Sequence, residues 1–355
     1  MNTTLLSDFT PGFTCPLPVP ENQHITLAHG SGGKLTHRLI DRIFLPLFRN
    51  EYLEFLHDGA ALTIGNSRIA MATDSYVIRP IFFPGGDIGS LAVNGTVNDL
   101  AMCGAKPLYL SVAFIIEEGL PIEVLQAVAQ SMQRAAELAD VVIVTGDTKV
   151  VDKGKGDKIF LNTTGLGIID PGIDINPGRA QIGDRIIING GIGQHGVAVL
   201  SKREGLEFQT TIESDCAPLS DLVGRMLRTG QDIHVLRDPT RGGIACALNE
   251  IAIASKTGIR IVEENIPISE EVQGACEILG LDPLYIANEG KVLAWVPEKS
   301  VEEILRVMRE HPLGKESVVI GEVIAEQPGT VTLRSRIGGL RVVDVPTGEQ
   351  LPRIC

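Results

Sequence analysis

The chain has 355 residues, 44% of them apolar but only 4% aromatic, and a formal net charge of −13. That length exceeds one ordinary core and predicts two domains, built from Ile, Leu, Val and Ala with many glycine turns, an α/β (α+β) composition. The charge repels nucleic-acid phosphates and anionic lipid, and no apolar run approaches the roughly 20 residues that span a bilayer, so neither a nucleic acid nor a membrane is an expected partner.

Residues 1–22 read as a flexible extension without the basic start of a secretory signal. Six cysteines, Cys15, Cys103, Cys216, Cys246, Cys276 and Cys355, are scattered without paired short spacing, which argues against a zinc site or a disulfide framework and for a reducing, cytoplasmic location. Apolar spacing predicts a helix over 35–48, directly after a glycine loop. A hairpin is expected from 61–64 and 68–73 about Gly65-Asn66-Ser67, then a helix over 87–103 closed by Gly104. Next come a strand over 107–116, a helix over 121–139, a buried strand over 141–145 and a strand over 159–169. The pattern lapses at 171–177, which separates an N-terminal domain, 23–172, from a C-terminal α/β domain, 173–345. Within the latter, helices over 197–203, 219–228, 244–255, 270–279 and 301–309 alternate with strands, and 331–345 forms a last hairpin. Residues 346–355 lack periodicity and read as a mobile tail.

Several short motifs carry chemistry. His29-Gly30-Ser31-Gly32-Gly33-Lys34 places backbone donors, a helix start and one cation together, the ingredients of a phosphate cradle, although a plain glycine turn fits the same residues and the spacing is not that of a Walker loop. Asp58, Asp74, Asp99 and Asp147 each lie in a short motif at a strand end or in an apolar helix. Singly, each suits a turn or a cap; together they offer the hard oxygen ligands that bridge Mg2+ to nucleotide phosphates. Lys149 follows Asp147 by two residues and is suited to stabilising charge on a transferring phosphoryl group, or to solvation on a surface. Asp238-Pro239-Thr240-Arg241-Gly242-Gly243 is a second loop entering a helix, and Asn288-Glu289-Gly290 offers a carboxylate at a bend. His195 and His234 fit a helix start and a core as readily as catalysis, and Cys103 and Cys246 read as small core residues. Cys355 is different: no packing role explains a thiol at the end of a Pro- and Gly-containing tail that, extended, reaches at most about 35 Å. An accidental terminal cysteine is the plainer alternative.

The ordered series GSGGK, HDGAAL, ATDS, NDLAMCGAKP, TGDTKVV, DPTRGG, NEG and PRIC resembles the HypE family of hydrogenase maturation proteins, the carbamoyl dehydratases of nickel-iron hydrogenase assembly. Most of these motifs are shared with the wider PurM-like superfamily of aminoimidazole ribonucleotide synthetase, thiamine monophosphate kinase and selenophosphate synthetase, and the terminal PRIC narrows the match. The resemblance implies a two-domain fold whose N-terminal domains close a β-barrel across a homodimer, with ATP held between the halves. It implies that Gly30, Ser31, Gly32, Gly33 and Lys34 cover the phosphates. Asp58, Asp74, Asp99 and Asp147, with Thr145 and Gly146, would bind Mg2+ and nucleotide, and Lys149 and Glu289 would flank Cys355. The implied reaction converts a carbamoyl group on Cys355 to a thiocyanate; HypF supplies the carbamoyl group and an iron-carrying HypC–HypD complex receives the cyano group. A selenophosphate synthetase-like enzyme acting on a free substrate and a nucleotide-binding assembly scaffold are the competing expectations, although no lysine follows Cys15 before Lys34.

Overall fold

The computed structural model describes residues 24–206, 212–348, 351 and 353–355; the expected extension 1–22, with Cys15, lies outside them. The helix expected over 35–48 is three joined pieces: α1 (Lys34–Leu39), a π-helical segment Ile40–Phe44, and α2 (Leu45–Phe48). The wide turn lies just before Pro46, whose missing N–H leaves the ordinary helical ladder one donor short.

β1 (Ala60–Ile64) and β2 (Ser67–Tyr76) form the expected hairpin, paired from Ala60↔Met71 to Ile64↔Ser67. A short ladder of β3 (Phe82–Phe83) and β4 (Gly86–Asp87) leads into α3 (Ile88–Met102), where the Asp87 side chain caps the helix by accepting from the N–H groups of Gly89 and Ser90. Nearly every residue of α3 is buried, which is why its sequence is apolar all round. β5 (Ala105–Glu117), α4 (Ile122–Leu138), β6 (Val142–Val151) and β7 (Ile159–Ile169) complete a sheet of order β1-β2-β7-β5-β6.

β6 corrects one expectation. Its apolar run suggests a buried strand, yet Val142, Val144 and Val150 are 58%, 57% and 66% exposed. The strand is the sheet edge, with β5 as its only neighbour, and no other part of the described chain covers it. A short apolar run does not distinguish a strand buried within its own chain from an uncovered edge. Within one chain this sheet is open rather than a closed barrel.

The second half contains β8 (Arg185–Ile188), α5 (Gln194–Glu204), α6 (Ser220–Arg228), β9 (Val235–Arg237), α7 (Gly243–Ser255), β10 (Gly258–Val262) and α8 (Glu270–Leu279). β11 (Leu293–Val296), α9 (Val301–Arg309), β12 (Val318–Ile324), β13 (Val331–Arg334) and β14 (Leu340–Val343) follow. The strands join in the order β14-β13-β10-β12-β8-β11-β9. Alternation along β8 sends Ile186 and Ile188 into one core with Trp295, Leu248 and Ile261, and Ile187 into another with Leu222, Ile304 and Met308. Helices therefore cover both faces, as expected of an α/β domain. No described helix is long and apolar enough to cross a membrane.

The two halves share core. Ala101 and Met102 of α3 pack with Leu219 and Leu222, and Val199, Ala287 and Ile354 join the N-terminal cluster around Tyr76 and Leu91. The end of the tail lies in this seam: the N–H groups of Val77 and Arg79 donate to main-chain oxygens of Cys355 (3.1 Å) and Arg353 (3.3 Å). A segment whose sequence suggests mobility is thus held at its last residues.

Trp295 is fully buried, and its indole N–H has no hydrogen-bond partner. Trp295→Ala is expected to lower unfolding free energy by about 3–5 kcal/mol in urea titrations, and Trp295→Phe by much less, because no hydrogen bond is lost. Equal losses in the two variants would contradict this packing.

Candidate active site

Three carboxylates converge at the seam. Asp58 precedes β1, Asp99 sits on α3 and Asp238 follows β9, and their nearest oxygens all lie within 4.8 Å of one another. Burial holds Asp99 and Asp238 well above the usual carboxylate range, and the neighbouring carboxylates push them further. One cation answers them: Arg237 Nη1 lies 2.6 Å from Asp58 Oδ1, but the same guanidinium also binds Glu250. Asp58 Oδ2 is buried without a hydrogen-bond partner. Three hard oxygen donors, one of them orphaned, fit a divalent cation such as Mg2+. Asp238 was not among the expected ligands; its position immediately after an apolar strand was the available signal.

Asp74, on β2, is half-buried beside this cluster and adds its charge to Asp99, Asp238 and Glu289. Glu289 is 3% exposed, and its Oε1 has no hydrogen-bond partner. Burial and the charges of Asp238 and Asp215 raise its pKa well above the ordinary value against the pull of Arg241. Cys355 meets the same groups: burial pushes its thiol up to about 12, Arg241 opposes the rise, and Glu289 and Asp74 add to it.

The glycine loop closes this region from above. A Cβ on Gly32, at φ 78°, would lie 3.0 Å from Arg241 Cβ, and one on Gly33 would lie 2.7 Å from the Pro346 carbonyl. Only glycine allows so close an approach. Lys34 is engaged with the root of the tail, donating from its backbone to Pro346 O (3.0 Å) and from Nζ to Asp344 (2.6 Å). Between loop and tail lies a cavity of about 150 Å³ lined by Gly30, Ser31, Ser75, Arg241 and Cys355 among others.

Other expected site residues lie elsewhere in the chain. Thr145, Gly146, Asp147 and Lys149 are on β6, at the opposite edge of the sheet from β1 and Asp58. There Lys149 donates to both oxygens of Asp147 at 2.7 Å, which holds the Asp147 carboxyl below the usual range. Gly146 has a packing reason of its own, since a Cβ would lie 2.5 Å from Val112 O. Arg241 and His195, by contrast, touch the tail region although the motifs around them suggested an anion loop and a helix start.

Residues 56–169 match the family described as AIR synthase related protein, N-terminal domain, and residues 181–334 match its C-terminal domain. Carbamoyl dehydratase HypE of Azotobacter vinelandii is 51% identical over 334 residues, covering 94% of this chain and 98% of that one. The chain belongs to the HypE family. HypE of Cupriavidus necator is also 51% identical, over 97% of this chain and 98% of its own length. Among solved structures, HypE in a HypE–HypF complex superposes with a TM-score of 0.83 at 49% identity, covering 87% of this chain and 99% of that chain. HypE in complex with ATP superposes at 0.79 with 49% identity, covering 93% of this chain and all of the other.

The crowded acids set a pH dependence. Carboxylates whose folded pKa lies above the unfolded value of about 4 bind more protons in the folded state, so stability falls as pH rises from there toward their folded values. Without metal, Asp99→Asn should raise the melting temperature at pH 8 and leave it nearly unchanged at pH 4. A lower melting temperature for the variant at pH 8 would show that this carboxylate is not under charge strain.

Proposed function

We propose that this HypE family member is an ATP-dependent carbamoyl dehydratase that works on its own C-terminal residue. The observation that carries the reading is the position of Cys355: it lines the cavity under the glycine loop with Arg241, and its thiol lies within electrostatic reach of Glu289, Asp74 and Asp238. No surface tail without function needs a seat among buried acids.

In this reading HypF loads a carbamoyl group on Cys355. Transfer of the γ-phosphoryl group of ATP to the carbamoyl oxygen, with loss of one N–H proton, makes that oxygen a leaving group; loss of the second N–H proton as phosphate departs leaves S–C≡N. Glu289 accepts a nitrogen proton, a task suited to a carboxylate whose burial raises its affinity for protons. Arg241 stabilises negative charge near the sulfur. Asp58, Asp99 and Asp238, with Asp74 nearby, hold Mg2+, which when bound neutralises phosphate charge. Gly30, Ser31, Gly32, Gly33 and Lys34 form the phosphate cover, Lys34 exchanging Asp344 for the nucleotide.

Asp147 and Lys149, with Thr145 and Gly146, enter through a homodimer. Pairing two copies of the N-terminal sheet across β6 covers its apolar edge, closes a barrel, and delivers Asp147 and Lys149 of one copy toward the site of the other. The cyano group passes to iron held by HypC and HypD, for which the tail must leave its seat. All of this suits the cytoplasm, where free thiols persist; the five described cysteines are unpaired.

Intact-mass measurement tests the chemistry. With HypF and its carbamoyl donor, Cys355 should gain a carbamoyl group and, once ATP is supplied, lose one water. Glu289→Gln should still load but dehydrate about 10²–10⁴-fold more slowly. A carbamoyl adduct that ATP leaves unchanged in the wild type would rule out a dehydratase.

The shared-site arrangement has its own test. Lys149→Ala and Glu289→Gln variants, each nearly inactive, should regain about a quarter of wild-type activity when mixed and allowed to exchange subunits, since half the dimers then hold one intact site of two. No recovery despite exchange would place Lys149 and Glu289 in the same copy or outside the site.

A further inference from the structure

His195 is 0% exposed, and its ring links the two halves of the molecule to the tail. It is the second residue of α5, its ring meets Phe83 edge-on at 5.4 Å and 88°, and Nε2 lies 2.8 Å from the carbonyl oxygen of Ile354. A carbonyl only accepts, so Nε2 carries the proton. Nδ1 must then accept, and its partner at 2.8 Å is the Ser214 hydroxyl. Ser214 Oγ in turn accepts from the Cys216 N–H at 3.1 Å, which leaves the hydroxyl proton free for the ring. Every atom in this relay has one consistent role, and it ends one residue before the reactive sulfur.

The last three residues are each held through a main-chain oxygen. Arg353 O accepts from Arg79 N–H and Arg203 Nη2, Cys355 O accepts from Val77 N–H, and Ile354 O accepts from His195. Next to His195, a Cβ on Gly196 would lie 2.5 Å from Ile286 Cγ2 and 3.1 Å from Leu351 Cδ1, so the glycine leaves room for both. The first turn of α5 therefore meets the tail at two points.

We propose that His195, fixed in its Nε2–H form by Ser214, is a positioning residue that seats the tail and sets the depth to which the Cys355 sulfur enters the site. Burial lowers the pKa of the ring and keeps it neutral, so the bond to Ile354 is an uncharged one. Such a bond is strong enough to favour the seated tail and weak enough to break in each cycle. An ion pair at this place would hold the tail too firmly to release a product. The proposal rests on the reading of Cys355 as the substrate carrier, but its first test needs neither carbamoyl group nor ATP.

Alkylation of Cys355 by iodoacetamide in the full chain, followed by peptide mass, reads how often the tail is out of its seat. His195→Phe keeps an aromatic ring against Phe83 and removes the donor; Cys355 should react about tenfold faster than in the wild type. His195→Gln, which retains an N–H donor, should lie between the two. Ser214→Ala, which frees the ring tautomer, should give a smaller increase of about threefold and serves if the Phe variant does not fold. In carbamoylated protein the Phe variant should lose a similar factor in kcat for water loss with KM for ATP unchanged, the split expected of positioning rather than nucleotide binding. Wild-type alkylation rates in folded Phe and Ala variants would overturn the proposal. Faster alkylation in the variants, together with a wild type that shows no dehydration, would leave the seat intact and remove the dehydratase reading alone.

Discussion

Too many carboxylates share too little water at the junction of the two halves, and much of the rest follows from that. Asp58, Asp99, Asp238, Asp74 and Glu289 approach one another from strands and helices of both halves, with Arg237 and Arg241 as the opposing cations. Uncompensated charge of this kind opposes folding, and its concentration at one place marks a functional site rather than a structural one. The rigid elements around it make the geometry possible. α3 is buried on nearly all sides and carries Asp99 at fixed height, while β9 ends just where Asp238 must turn inward.

Against that fixed acidic floor, the glycine loop and the tail are joined to each other. Lys34 and Gly33 meet Asp344 and Pro346, so the loop that covers the cavity and the root of the tail share contacts. Movement of one disturbs the other without any relay through the core. Coupling between loop and tail can therefore be local, through the contacts that Lys34 makes.

Most elements of the fold were legible in the sequence. The strand over 159–169 and the helix over 301–309 have the expected limits, because turn residues and apolar period agree there. β6 was misjudged for its surroundings, since Val142, Ile143 and Val144 read the same whether covered by their own chain or left open. At the site, residue types pointed to Mg2+ and nucleotide, and Asp58 and Asp99 do converge. Asp238 escaped attention because its motif was read for backbone donors, and His195 because a lone histidine at a helix start has no local pattern. Both depend on contacts between residues more than a hundred positions apart, which no window along the chain contains.

The apolar edge at β6 also bears on how the protein is made. Val142, Ile143 and Val144 present unpaired backbone and three apolar side chains on a strand that any similar strand can extend. A single copy therefore carries an aggregation-prone edge, and its yield in a cell falls as the concentration of copies with that edge uncovered rises. Slow synthesis at low temperature limits the loss because it keeps that concentration small.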